Sequence, residues 1–355
     1  ASLKAWRSRA EQLRRHILIS TGLWPMPPKT PLRPHIFGRI DREGYSAEKV
    51  YFESLPGFFV TGNLYRPRGR HGPFPGVLCP HGHWSAGRLA HVERGSVPGR
   101  CINLARQGHV VFSYDMIGYN DSRQLKHRFR SRRQELWGLS NMGLQLLNSI
   151  RSIDLLCSLP DVDAKRIGCT GASGGGTQTF MVMAVDDRIR VAAPVCMISA
   201  HFQGGCVCEN APNLRLDTFN VEIAALMAPR PLLMVSATGD WTKNTPKVEF
   251  PAVRSIYRLF GAEDRVANVH IDAPHNYNKA SREAVYAWFG RWLLGDPDPE
   301  HFREQPFTVE NKEDLLVFAD RPLPANALDA EGVTKSWIRM AEGQLQQCYP
   351  SDAKR

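Results

Sequence analysis

Along the chain, stretches with an apolar residue every three or four positions alternate with short, continuously apolar runs. Residues 2–20 set Leu3, Trp6, Leu13 and Ile17 among charges, the spacing of an amphipathic helix. The proline-rich stretch 21–34 is expected to wrap as an extended arm. Residues 50–54 and 58–65, split by Pro56-Gly57, predict an antiparallel hairpin. From there the periods alternate. Apolar runs at 75–80, 109–114, 166–170, 190–195, 231–237 and 267–271 predict strands, and helical spacing at 99–107, 141–159, 177–185, 248–260 and 280–294 predicts the helices between them. Strands separated by helices are joined by crossovers and lie mostly parallel, in a sheet covered on both faces. The expected fold class is α/β. An irregular insertion, 196–216, interrupts the alternation, and the tail beyond Gly295 is rich in proline and charge, with one helix expected near 334–347.

Composition narrows this picture. A chain of 355 residues buries a full core and is expected to form one large domain with extensions. These are a helix and arm over 1–45, an α/β unit over 46–295, and a C-terminal extension over 296–355. Hydrophobic content of 43% with 23% charged residues is ordinary for a globular chain, and no apolar run approaches the length needed for a membrane span. The net charge of +10 is partly local: Arg123, Lys126, Arg128, Arg130, Arg132 and Arg133 lie close together with no acid between them. No interleaved aromatics or nucleic-acid motif accompany them, so no nucleic-acid partner is expected. The stretch reads as a solvated loop or as a cationic rim for an acidic substrate such as a uronate-bearing glycan. The chain begins at Ala1 rather than Met, which leaves a processed, secreted or periplasmic protein and a cytoplasmic one both open. Nothing in the sequence sets an oligomeric state.

Eight cysteines are too scattered for a disulfide scaffold, and Cys79 and Cys169 sit in expected strands as small hydrophobes. His201, Cys206 and Cys208 are near one another in sequence but match no standard zinc spacing, so no metal is expected.

The chemistry gathers on Gly171-Ala172-Ser173-Gly174-Gly175, a G-x-S-x-G between an expected strand and an expected helix. In such an elbow a strained turn lifts a serine hydroxyl clear of the sheet, and flanking glycines remove the Cβ atoms that would clash. The plain alternative is a glycine-rich loop closing an ordinary strand–helix corner. A serine hydroxyl becomes a nucleophile only when a base takes its proton and a third group orients that base. Asp240 and His275 each follow a different expected strand at its carboxyl end, in the chain order Ser, Asp, His that this elbow requires. Asp272 is three residues before His275 on the same loop, Asp264 precedes the last strand at the opposite edge, His270 lies inside a strand, and His201 is in the insertion. Two backbone amides should hold the oxyanion: Gly174, after the nucleophile, and His83, in the His81-Gly82-His83-Trp84 loop after an earlier strand.

Together, Pro80-His81-Gly82, Asp115-Met116-Ile117-Gly118, the Ser173 elbow, Gly239-Asp240 and Pro274-His275 resemble the α/β-hydrolase superfamily over about residues 46–295. Within it the chain resembles the acetyl xylan esterase and dienelactone-hydrolase-like carbohydrate esterases. The resemblance implies Ser173, Asp240 and His275 as triad and the His83 and Gly174 amides as oxyanion hole. Dienelactone hydrolases proper use a cysteine nucleophile, and glucuronoyl esterases place an arginine after the serine; Ser173 and Gly174 depart from each. The implied activity is cofactor-free removal of small acyl groups, acetyl foremost, from carbohydrate, with uronate methyl-ester hydrolysis as the alternative. A peptidase lacks its expected N-terminal propeller repeats, and a non-catalytic binding protein would have lost a triad member. Glu209 and Asn210 in the insertion are candidates for contacting substrate, with loop stabilisation as their other reading. Trp84 and Trp241 are candidate sugar-stacking faces, as is Trp137, though tryptophan is also an ordinary core residue.

Overall fold

The computed structural model describes residues 2–348, and the last part of the expected C-terminal extension, 349–355, lies outside the described residues. The strands run in chain order β1 (His35–Arg42), β2 (Tyr45–Leu55), β3 (Phe58–Pro67), β4 (Phe74–Leu78), β5 (His91–Val92), β6 (Gly95–Ser96), β7 (Val110–Tyr114), β8 (Val162–Ala172), β9 (Ile189–Val195), β10 (Leu232–Gly239) and β11 (Val266–Pro274). The α-helices are α1 (Leu3–Ser20), α2 (Val97–Arg106), α3 (Arg132–Leu136), α4 (Asn141–Ser158), α5 (Gly174–Val185), α6 (Asn220–Ala225), α7 (Glu249–Leu259), α8 (Lys279–Phe289), α9 (Lys312–Leu315) and α10 (Ala330–Cys348).

Nine strands form one sheet in the order β1-β2-β3-β7-β4-β8-β9-β10-β11, and β5 pairs with β6 in a small separate ribbon. The first four strands of that order meet antiparallel, and from β7 to β11 every pairing is parallel. This is the mostly parallel sheet that the alternating periods predict. Side chains on successive residues of a strand face opposite ways, and here both faces are apolar. On one face Leu78, Phe112, Cys169, Ala192 and Met234 pack with α1, α4, α5 and α7. On the other, Val77, Val111, Ala193 and Val235 pack with α2 and α8.

The expected hairpin is β2–β3, with Gly57 in its turn at a positive φ of 71°. The edge strand β1 falls inside the stretch assigned from sequence to the N-terminal extension. Its residues alternate poorly and are largely exposed, because it pairs through backbone bonds on the outer edge of β2. The N-terminal helix forms as expected: Ser2 caps it by accepting from the Ala5 amide, and Trp6, Ala10, Leu13 and Ile17 are buried. The C-terminal stretch is tied into the rest of the chain. Arg282 of α8 pairs with Glu304, Trp337 of α10 is buried against the first core, and the Val317 and Phe318 amides donate to Asp121.

That last contact belongs to a buried ionic cluster just behind the carboxyl ends of β4 and β7. Arg88 donates to Asp115 at 2.5 and 2.6 Å, to Asp121 at 2.8 Å and to Asn63 Oδ1 at 2.8 Å, and both ion pairs are fully buried. Burial pushes the Asp115 carboxyl up, and the Arg88 charge opposes that shift. Removing one partner of such a cluster strands the others. We therefore expect Arg88→Met to lower unfolding free energy by about 3–5 kcal/mol. Urea denaturation checks this, and adding Asp115→Asn and Asp121→Asn to the variant should recover part of the loss.

Candidate active site

The site lies at the carboxyl ends of the parallel strands. Strand β8 ends at Ala172, α5 begins at Gly174, and Ser173 turns the chain between them with φ 59° and ψ −126°. Among the described residues four other serines precede helices, namely Ser2, Ser96, Ser131 and Ser140. Each is extended, and each accepts a hydrogen bond from an amide three residues on. Ser173 does neither: its backbone is in a region that side chains rarely occupy, and its hydroxyl makes no cap bond. This separates an elbow from an ordinary strand–helix corner, since the strain positions the Oγ away from its own helix.

Parallel pairing brings the other two residues together. The register of β10 and β11 sets Gly239 opposite Pro274, so Asp240 and His275 emerge side by side. His275 Nδ1 donates to Asp240 Oδ2 at 2.7 Å. The other carboxylate oxygen accepts from the Thr242 amide at 2.7 Å and from the Thr242 hydroxyl at 2.5 Å. Burial alone would push the Asp240 carboxyl up, but the bonds from His275 and Thr242 outweigh it and hold it below the usual carboxylate range. His275 Nε2 is buried with no hydrogen-bond partner. The elbow joins this pair through β9: the Ser173 amide donates to Val195 at 3.2 Å, and the next residue, Cys196, has its sulfur within 4.8 Å of the Asp240 and His275 ligand atoms. Burial, then the Asp240 charge, push the Cys196 thiol well up, so it stays protonated.

The rival residues point elsewhere. Asp272 accepts from Thr238, His270 meets Ser236 at 2.7 Å, His201 meets Ser199, and Asp264 lies in the turn before β11.

The loop after β4 presses onto the elbow. A Cβ on Gly82 would come within 2.7 Å of the Ala172 carbonyl oxygen and 3.0 Å of Ser173 Cβ, so only glycine allows this approach. The ring of His83 lies against Gly174, whose own Cβ position is 2.7 Å from His83 Cε1. His81 is buried, and burial pushes its pKa down to about 3, so it is neutral. It accepts from the Met116 amide at 2.9 Å and donates to the Gly82 carbonyl at 2.7 Å, which ties this loop to the end of β7.

A profile of the acetyl xylan esterase (AXE1) family matches residues 37–213. The solved structure of Methylesterase BT1017 superposes with a TM-score of 0.79 and 31% identity, covering 98% of this chain and 78% of that one. The chain belongs to the acetyl xylan esterase family of α/β-hydrolase carbohydrate esterases. It is an ester hydrolase. The putative hydrolase YtaP of Bacillus subtilis (strain 168) is 26% identical over 295 residues, which is 76% of this chain and 96% of YtaP. A glucuronoyl esterase from Solibacter usitatus shares the fold, with a TM-score of 0.61 at 15% identity over 81% of this chain and 93% of that one.

Around the esterase's His275 stand the two tryptophans singled out from sequence. Trp241 packs on the imidazole with ring centroids 4.4 Å apart, and Trp84 stacks more distantly at 6.4 Å. Trp137 packs at the edge of the first core, and its carbonyl accepts from Trp337.

The two polar residues proposed for substrate contact are instead engaged in holding their own loop. Glu209 is buried, accepting from the Thr177 hydroxyl and the Cys206 amide, both at 3.0 Å. Asn210 donates to the Gly204 and Cys206 carbonyls and accepts from Arg215. With these groups already paired, the loop-stabilising reading is the one the geometry favours.

The six basic residues from Arg123 to Arg133 are all exposed. Two of them have acidic partners, Arg130 with Glu135 and Arg133 with Glu331. A cavity of about 660 Å³ lined by Arg70, Phe74, Arg106, Arg166 and Arg303 opens beside the start of β4, at the end of the sheet opposite the elbow. Catalytic groups in this fold gather at the carboxyl ends, so we do not assign it to the ester chemistry.

One grouping was not anticipated. His83, His127, Cys206 and Cys208 come from three different loops, and one potential ligand atom from each lies within 4.8 Å of all the others. The sequence reading grouped His201 with the cysteines, whereas His201 turns away toward Ser199. The two histidines that do converge are far from their cysteines along the chain: 79 residues part His127 from Cys206, and 125 part His83 from Cys208. That is beyond any local spacing pattern.

Proposed function

We propose that Ser173 is the nucleophile, His275 the general base and acid, Asp240 its orienting partner, and the backbone amides of His83 and Gly174 the oxyanion hole of a carbohydrate esterase. The observation that carries this reading is the strained, uncapped Ser173 at the same end of the sheet as a histidine with one nitrogen bound to Asp240 and the other buried and free. His275 Nε2 takes the Ser173 proton as Oγ attacks the ester carbonyl. The tetrahedral oxygen turns negative and is held by the two amides, of which one is typically worth about 3–4 kcal/mol. The alcohol leaves with the proton from His275, giving an acyl-serine. Water, deprotonated by the same nitrogen, then releases the acid and regenerates the serine. Every step uses side chains and backbone of this chain, and no cofactor enters.

For substrate, the match to the acetyl xylan esterase family supports an acetylated carbohydrate, with acetate released from the acyl-serine. A second reading has its own support. The 31% likeness to Methylesterase BT1017 and the exposed basic run from Arg123 to Arg133 favour a methyl-esterified uronate, where the sugar supplies the acid and methanol leaves. A panel of acetylated and methyl-esterified plant polysaccharides, assayed for both acetate and methanol with Ser173→Ala as blank, decides between them. Acetate release that disappears in the variant supports deacetylation. Methanol without acetate transfers the same triad to the methyl-ester reading.

A further inference from the structure

The four residues His83, His127, Cys206 and Cys208 stand on the loops after β4, after β7 and after β9, all at the carboxyl end of the sheet. His83 Nε2 is 3.1 Å from Cys208 Sγ, and His127 Nε2 is 3.2 Å from Cys206 Sγ. A tetrahedral zinc with bonds of about 2.3 Å to sulfur and 2.0–2.1 Å to nitrogen separates its ligand atoms by about 3.3–3.8 Å. The cluster is thus at the scale of a zinc site, and small side-chain movements bring it to that size.

Three further observations fit this donor set. His127 Nδ1 donates to the Ile117 carbonyl at 2.7 Å, which leaves Nε2 as the nitrogen with a lone pair, the usual outer partner of a metal-bound histidine. The backbone is shaped to bring His127 in: Gly118 has φ 81°, and a Cβ there would lie 2.2 Å from the His127 amide nitrogen. Glu209 fixes the loop between the two cysteines by accepting from the Cys206 amide. Two imidazoles and two sulfurs in a closed set of four are the chemistry of a structural zinc site rather than of a catalytic one, which would keep a position open.

We infer that His83, His127, Cys206 and Cys208 bind one zinc(II) ion that pins the His83 loop against the Ser173 elbow. Binding releases the thiol protons of the cysteines, since zinc takes both as thiolates. The ion joins the insertion 196–216 and the basic loop to the loop carrying the proposed oxyanion amide. Its four ligating side chains are positioning groups: none needs to touch the substrate. This positioning role rests on the reading of the His83 amide given above, while the binding of zinc does not.

The test uses the full chain, purified under reducing conditions, stripped with chelator and reloaded with zinc or cobalt(II) alone. We expect about one zinc per chain by elemental analysis and, with cobalt, the thiolate charge-transfer and tetrahedral d–d absorption of an N2S2 site. Cys206→Ser and His127→Ala should each weaken binding by at least about 100-fold, beyond what loss of an outer partner costs. Stripped protein should melt lower and show reduced kcat with little change in KM, both restored by zinc. A reduced, folded wild-type chain that retains no zinc above a buffer blank would overturn the site. Equal zinc in wild type and in the His127→Ala/Cys206→Ser double variant would place the metal elsewhere and overturn it too. Because the cobalt spectrum is read on wild-type protein, neither misfolded variants nor a wrong substrate can mimic that result. Zinc bound with kcat unchanged on stripping would overturn the positioning role alone.

Discussion

Ser173→Ala should reduce kcat for ester hydrolysis by about 10⁴–10⁶-fold while leaving the protein folded. The loss is large because the elbow geometry, φ 59° with no cap bond, sets the Ser173 hydroxyl apart from the helix-capping serines. The residual rate comes from the oxyanion amides and substrate binding, which the substitution leaves in place. Alanine keeps a Cβ in the same strained backbone region, so the strain is neither added nor relieved, and the melting temperature should move by no more than a few degrees. Fluorophosphonate labelling offers a parallel readout. Wild-type protein should be modified at Ser173 and the variant should not. A variant that kept near-wild-type kcat would remove Ser173 from the mechanism.

The second large effect is expected from Asp240→Asn, a fall in kcat of about 10⁴-fold. The reason is legible in the hydrogen bonds. Thr242 points two donors at Oδ1, so an asparagine would place its carbonyl oxygen there and turn its NH₂ toward His275 Nδ1. That NH₂ is a donor and forces Nδ1 to accept. The imidazole proton then moves to Nε2, the nitrogen that must take the serine proton. The variant also loses the negative charge that stabilises the imidazolium.

Stability should follow the sign of the Asp240 shift. Its carboxyl is lower in the folded chain than in the unfolded one, so it stabilises the fold above the unfolded carboxyl pKa of about 3.9. That contribution is lost as pH falls through the folded value. Thermal melts across a pH series should accordingly show the Asp240→Asn variant less stable than wild type at neutral pH, with the gap closing as pH drops below about 4.

The elements with strong periods were readable from sequence because their pattern is local. The strand containing Val77 and Leu78, the helix from Asn141 to Ser158 and the elbow between Ala172 and Gly174 each form where apolar spacing and glycine position indicate. Asp240 and His275 were readable for a related reason. In a parallel sheet the carboxyl end of every strand faces the same edge, so counting strands locates candidate site residues without coordinates. Strand β1 was missed, since an exposed edge strand is held by backbone bonds and carries no two-residue apolar alternation. The small ribbon of β5 and β6 and the short helices α3, α6 and α9 are too brief to carry a period of their own.

Glu209 shows the limit from another side. Its position after a strand was a fair sign of substrate contact, yet its carboxylate is satisfied by Thr177 and the Cys206 amide. Whether a polar side chain faces a substrate or its own loop depends on how the loop folds back, which residue order does not record.

By itself, then, the sequence determined the α/β class and the mostly parallel run of the core strands, and it singled out Ser173, Asp240 and His275 as candidates, because each follows from local spacing plus the common direction of the strands. Tertiary structure alone decided the fate of the cysteines and of the basic loop. Cys206 and Cys208 find His127 and His83 only when three crossovers return their loops to one edge of the sheet. Such a meeting depends on distance in space, and separations of 79 and 125 residues leave no periodic trace along the chain.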